Sequence, residues 1–193
     1  ITALLETTNK GIRKRMFPSQ TMHGFLAMFD DATHLKKGVT IVLGMGETLH
    51  DIAELHHFLE MNHIDKVTFS PVIPHKSAPF QKSPGSFYVT RWIAETRIAF
   101  PKIEISAGTW KNRVAEVGLF LKAGTNAITK FPAVKHFNSE DAQSIEQEIA
   151  TSKRTFHSTL TNIDRIMQLR DIATDTETKE KLLHYIHTIQ EHN

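Results

Sequence analysis

A chain of 193 residues, 40% hydrophobic and 23% charged, is long enough for one sizeable core and has the make-up of a globular protein. Its net charge of +2 falls below the basic footprint of nucleic-acid binding, and no apolar run reaches the roughly 18 residues of a membrane helix, so neither is an expected partner. With Cys at 0, no disulfide framework and no thiolate-held zinc or iron–sulfur centre can be built from these residues alone, a profile compatible with the cytoplasm.

The chain opens at Ile1, without Met, inside the β-like run ITALLE (1–6); a start in mid-strand leads to the expectation of a fragment. A helix is predicted over 19–36, capped by Ser19. The second strand, GVTIVLG (38–44), runs into Gly44-Met45-Gly46 and a helix over 48–62, where Thr48 and Asp51 form a capping-box-like pair. Ile52, Leu55 and Leu59 make an i, i+3, i+7 stripe for facing a sheet. The glycine turn does not read as a phosphate loop. The third glycine of G-x-G-x-x-G falls at Leu49, a Walker lysine is missing, and Glu47 sets a negative charge where a phosphate would sit. The turn should meet a donor or a cation.

Three further strands are predicted at 65–72, 102–108 and 125–131, alternating with helices near 86–99, 111–123 and 139–153, the last capped by Ser139. Residues 160–193 read as two charged helices split at 174–176. Strands apolar at nearly every position point to a parallel sheet covered by helices, hence an α/β fold. Five βα units fit a flavodoxin-like open sheet, or the C-terminal five units of a TIM-type (βα) barrel; the mid-strand start favours the second. Residues 1–135 would then be a partial barrel, strands four to eight, and 136–193 a helical extension packing on it. Barrel enzymes keep function at the C-terminal ends of strands. Twelve histidines raise a metal reading, yet Glu54 and His57 fall opposite the apolar stripe, H-E-x-x-H is absent, and no metal ligand is assigned.

LETTN at 5–9, IVLGMGET at 41–48, PVIPHKSAP at 71–79, ISAG at 105–108 and AGTNAITK at 123–130 occur in a telling order. Together they resemble the C-terminal half of radical S-adenosylmethionine (SAM) enzymes of the biotin synthase-like group, with archaeal forms such as the two-subunit lipoyl synthase type nearer than biotin synthase. The resemblance implies a set of cofactor contacts. Glu6 would meet the ribose hydroxyls, which a carboxylate can accept in pairs, with Thr8 in the same segment. Arg13 and Arg15 follow where a basic residue faces the SAM carboxylate. Val42 would pack on the adenine above the turn at Gly44, with Ile73 and Pro74 at the adenine edge and Ser77-Ala78-Pro79 replacing a Gly-Thr-Pro. Glu47 would anchor its own loop, and Thr40 replaces the family's glycine. Ser70, Thr109 and Lys130, at the other strand mouths, are the candidate substrate contacts.

Two departures limit what is implied. The CxxxCxxC motif lies before strand four in the family, so the [4Fe–4S] cluster would be held by an N-terminal part outside these residues. Thr109 and Gly38 stand where biotin synthase has the Arg and Cys of its second cluster. The implied activity is 5′-deoxyadenosyl radical chemistry in cofactor biosynthesis, sulfur insertion included, by the full-length protein; the 193 residues alone would be inactive. Implied partners are a small-molecule or protein-bound substrate and the N-terminal half of the barrel, in a homo- or hetero-oligomer. Other readings stay open: Glu6 as a strand-end carboxylate on a helix N-terminus, Arg13 and Arg15 as a solvated helix edge, Lys130 as a rim residue. An aldolase-type enzyme with Lys130 as Schiff-base nucleophile, or a non-catalytic partner subunit, are the rival functions.

Overall fold

A computed structural model describes residues 1–76 and 79–192, so the Ser77-Ala78 pair of the adenine-edge segment lies outside the described residues. The chain divides into two compact units, residues 1–108 with 122–129, and residues 109–121 with 130–193.

The first unit carries a five-stranded sheet: β1 (Thr2–Glu6), β2 (Gly38–Leu43), β3 (Lys66–Pro71), β4 (Glu104–Gly108) and β5 (Ala127–Thr129). Its order is β1-β2-β3-β4-β5 and every pair is parallel. That order excludes the flavodoxin-like arrangement, which needs the first strand inside the sheet. Alternation along the strands decides which side is core. Val39, Ile41 and Leu43 are buried, as are Val67, Phe69, Ile105 and Ala107. Phe69 meets Trp92 of the helix α4 (Ser86–Ala99), ring centroids 6.2 Å apart. The predicted stripe Ile52, Leu55 and Leu59 is buried in α3 (Asp51–Met61). Each such burial is worth roughly 1.5–3 kcal/mol. Apart from Leu4 at the edge, the opposite side carries short side chains, most of them hydroxyls. Register places Leu4, Thr40, Thr68, Ser106 and Ala127 in one row, and Val42 beside Ser70 in the next.

Arg97 locks the far end of the sheet. It donates to Gly124 O at 3.1 and 2.9 Å, Pro101 O at 2.9 Å and Ile103 O at 2.8 Å, tying the end of α4 to the segments that lead into β4 and β5.

The helix expected over 19–36 is α2 (Met22–Asp31), shorter at both ends, and an unexpected helix, α1 (Lys10–Met16), precedes it. Pro18 sits between them, where its ring and its restriction of the preceding residue stop a helix. Ser19 therefore caps nothing. Asn9 caps α1, its side chain accepting from Ile12 N at 2.9 Å, and Thr21 begins α2 without a side-chain cap bond. The fifth strand is shorter than expected because Lys130, with φ of 72°, has left the extended region.

In the second unit a short 3-10 turn (Lys111–Glu116) precedes α5 (Val117–Ala123), which crosses back into the first unit. Then come α6 (Glu140–Thr151), α7 (Ile163–Ile172) and α8 (Thr176–His192). Ser139 caps α6 as expected, accepting from Ala142 N at 3.3 Å. Glu146 accepts from Leu160 N at 2.6 Å and from the hydroxyls of Thr159 at 3.0 Å and Thr161 at 2.8 Å, so α6 fixes the chain entering α7. Among the described residues no helix is long and apolar enough to cross a membrane.

Candidate functional site at the strand ends

The loop after β2 closes on itself. Gly44 and Gly46 take φ of 104° and 107°, a region that side chains avoid. A Cβ on Gly44 would lie 2.8 Å from Pro84 Cδ and 2.9 Å from Val72 Cγ1. The Glu47 carboxylate accepts from Gly44 N at 2.6 Å and Met45 N at 2.8 Å, and Tyr88 OH donates to the Glu47 carbonyl at 2.8 Å. Amides that could have cradled a phosphate are thus already bound to the chain's own carboxylate. Asp51 accepts from Thr48 N at 2.6 Å and from Asn9 Nδ2 at 2.6 Å, which fixes the turn after β1 to the start of α3.

The end of β1 is built differently. Glu6 has φ of 64°, and Thr7 N donates to Leu5 O at 2.7 Å, the i to i+2 bond of a γ-turn. The register against β2 slips here: Leu4 faces Thr40, but Glu6 faces Ile41. Glu6 Oε2 is enclosed and has no hydrogen-bond partner among the described residues. Burial pushes the Glu6 carboxyl above its ordinary value, with the Arg13 charge opposing. A strand-end carboxylate with unused acceptor capacity suits a ligand that brings hydroxyl or amine donors.

The two arginines part company. Arg13 is buried, and its guanidinium donates to Leu5 O, to Thr7 O at 2.9 Å and to Gln20 O at 3.4 Å. All three acceptors are backbone carbonyls, so these donors do not face a ligand. Arg15 is exposed, with Nη2 3.5 Å from the place a Cβ on Gly46 would take. It puts a cation beside the glycine turn.

Around these, Val42 is half-buried and pairs in register with Ser70, whose Oγ would lie 3.0 Å from a Cβ on Gly108. Thr8 is buried, and Ile73 and Pro74 are exposed in the loop after β3. The first unit therefore gathers Glu6, Arg13, Thr8, Arg15, Val42, Gly44, Ser70, Ile73 and Pro74 around the ends of its first three strands and the loops that follow. Thr109 and Lys130 belong to the second unit. Thr109 is fully buried with Oγ1 unpartnered among the described residues, and Lys130 is exposed, its Nζ 6.0 Å from the centroid of the Trp110 ring.

Two residues escaped the sequence reading. Asn9 both caps α1 and binds Asp51; an Asn just before a short helical run was the available signal. Ser106 Oγ is buried without a partner among the described residues, on the sheet side opposite the buried Ile105 and Ala107; it is the one hydroxyl in the strand Glu-Ile-Ser-Ala-Gly. Among the described residues no group of three His, Cys, Asp or Glu could hold a metal ion. With Cys at 0, these residues do not fit an iron–sulfur cluster. His56 is structural, its Nε2 3.2 Å from Thr96 Oγ1 and its ring edge-on to Phe100.

No family model matches the chain. It is 34% identical over 132 residues to an uncharacterized protein of Methanocaldococcus jannaschii, an alignment covering 67% of this chain and 37% of that protein. It is 28% identical over 130 residues to the [FeFe] hydrogenase maturase subunit HydE of Thermotoga maritima, covering 64% and 37%. Over 94 residues it is 32% identical to biotin synthase of Rhizobium rhizogenes, covering 45% and 28%. The chain spans little more than a third, at most, of the length of these curated relatives. The similarity relates it, distantly and over part of its length, to radical SAM enzymes, without singling out a group among them.

Proposed function

We propose that this chain is the part of a longer, cytoplasmic radical SAM enzyme that positions SAM and the substrate, as strands four to eight of a (βα) barrel with 136–193 as a helical extension. The observation that carries this is the Glu6 carboxylate, held at a strand end with Oε2 enclosed and unpartnered. A ribose offers two vicinal hydroxyl donors to such a group. In this reading Val42 lies under the adenine, Ile73 and Pro74 meet its edge, Thr8 supports the ribose segment, and Arg15 pairs with the methionyl carboxylate. Ser70, Thr109 and Lys130 contact a small-molecule or protein-bound substrate. The CxxxCxxC ligands of the cluster come from a segment outside these residues, which also covers the unpaired edge of β1 and completes the barrel. When bound, the cluster supplies the electron that cleaves SAM; this chain binds, orients and excludes water. Cofactor biosynthesis, as in the named activities of two relatives, is the reaction area proposed.

Calorimetric titration of SAM into the complete protein tests the reading. Glu6→Gln keeps the shape but turns one acceptor into a donor, so SAM affinity should fall roughly 10- to 150-fold, the worth of one charge-assisted bond. The melting temperature should stay put. Unchanged affinity with a lowered melting point would end the ribose assignment.

A further inference from the structure

Arg13, buried, and Glu6, half-buried, lie at the same end of β1, carry opposite charges, and make no ion pair. An arginine in that position would ordinarily fork onto the carboxylate. Instead its Nη2 donates to the carbonyls of Leu5 and Thr7, the two residues flanking Glu6, while Nη1 reaches Gln20 O at 3.4 Å. Leu5 O also accepts from Thr7 N at 2.7 Å, closing the turn. Glu6 sits at the centre with φ of 64°, a conformation unfavourable for a side chain with Cβ and maintained only where the surroundings enforce it. The enforcing group is the guanidinium, because it fixes the carbonyl on each side at once. The helix that carries it is itself held, through the Asn9 cap and its bond to Asp51.

We infer that Arg13 is a positioning residue: it clamps the carbonyls on either side of Glu6, sets the γ-turn, and leaves the carboxylate unpaired for a ligand's hydroxyls. This rests on Glu6 being a ligand contact, as proposed above. It gives Arg13 a role apart from the SAM carboxylate, which falls to the exposed Arg15. Both bonds come from Nη2, while Nη1 holds the plane against Gln20 O; a lysine ammonium ends one bond short of Nη2 and has no second nitrogen to fix its direction.

The test is a double-mutant cycle on the complete protein, with SAM as the titrant. Arg13→Lys should weaken SAM binding on the order of tenfold, as coupled neighbours in one network do. In the Glu6→Gln background the same change should weaken it less than about twofold, because the group it serves is already lost. A full effect in both backgrounds overturns the inference while the Glu6 reading stands. No effect of Glu6→Gln alone overturns both. Melts without ligand give a second arm. Glu6→Gly should raise the melting temperature by about 2–4 °C in the otherwise native chain and not in Arg13→Lys; an equal rise in both overturns the clamp. Should Arg13→Lys not fold, side-chain 15N spectra of the native protein decide. Slowly exchanging Arg13 guanidinium protons whose shifts barely move on SAM addition support the clamp, and a large shift marks direct contact and overturns it.

Discussion

Two carboxylates close neighbouring strands, Glu6 at the end of β1 and Glu47 just beyond β2, and the backbone treats them in opposite ways. Around Glu47 the chain turns its amides inward, so that both carboxylate oxygens are taken by Gly44 N and Met45 N. Around Glu6 the chain turns its carbonyls toward Arg13, and Oε2 receives nothing. The same side chain is a structural strut in one loop and spare acceptor capacity in the next. Residue type and position alone do not distinguish them, since both are acidic residues following an apolar run. Their hydrogen-bond partners do.

Gly44→Ala is the harshest way to break the Glu47 side of this comparison. The new methyl would press on Pro84 and Val72 in a left-handed backbone, and roughly 3–5 kcal/mol of stability should go, read by urea denaturation. A loss below about 1 kcal/mol would show that the loop repacks freely. Glu47→Gln comes next. It replaces an acceptor facing one of the two amides with a donor, and should cost about 2–3 kcal/mol in the same assay. Glu6→Gln, by contrast, should move ligand-free stability by no more than about 0.5 kcal/mol at neutral pH. Equal losses in the two glutamine variants would erase the distinction.

The smallest effect is in the pH profile, and it sharpens the contrast. Burial raises the Glu6 carboxyl above its ordinary 4.5, with Arg13 opposing. The fold therefore binds that proton more tightly than the unfolded chain does. Relative to Glu6→Gln, the native protein should lose stability as pH rises from about 4.5 through the folded value. Asp51 has the other sign. Burial pushes it up, but hydrogen bonds from Thr48 and Asn9 outweigh this and leave it below its ordinary 3.8. Its contribution is complete above 3.8 and is lost as pH falls through the folded value, so the gap to Asp51→Asn should close in acid. Denaturation curves at several pH values, taken as differences between native and variant, read both slopes. Slopes of the same sign would contradict this assignment.

The strands and their order were legible because each apolar run is bounded by a turn residue, and because parallel strands buried by helices leave few polar positions. VTIVLG ending at Gly44 is the clearest case, and the loop-anchor role of Glu47, implied by the resemblance, agreed with its charge at a helix start. The helix α1 was missed because it is only seven residues long and mostly basic, too short for an apolar stripe to show, although Asn9 marks its start. The Glu6 turn was not legible at all. Its positive φ, its slipped register and the Arg13 bonds to its flanking carbonyls depend on where α1 lands, which no local pattern encodes. Arg13 and Arg15 differ by two positions in sequence and by burial in space, and only the helix phase after the Asn9 cap separates them.

The sheet's order has a consequence for how the molecule is made. Each new strand docks on the one synthesised immediately before it: Val67 finds Val39, Ile105 finds Val67, and Ala127 finds Ser106. No later strand has to be threaded between two that are already joined. Loop closure at such separations grows only slowly with length, by about 0.6 kcal/mol per doubling. Pairing can therefore keep pace with translation, unit by unit, as the chain emerges from the ribosome. At each stage the nascent sheet presents a single growing border, and the next segment to arrive is the one that fits it.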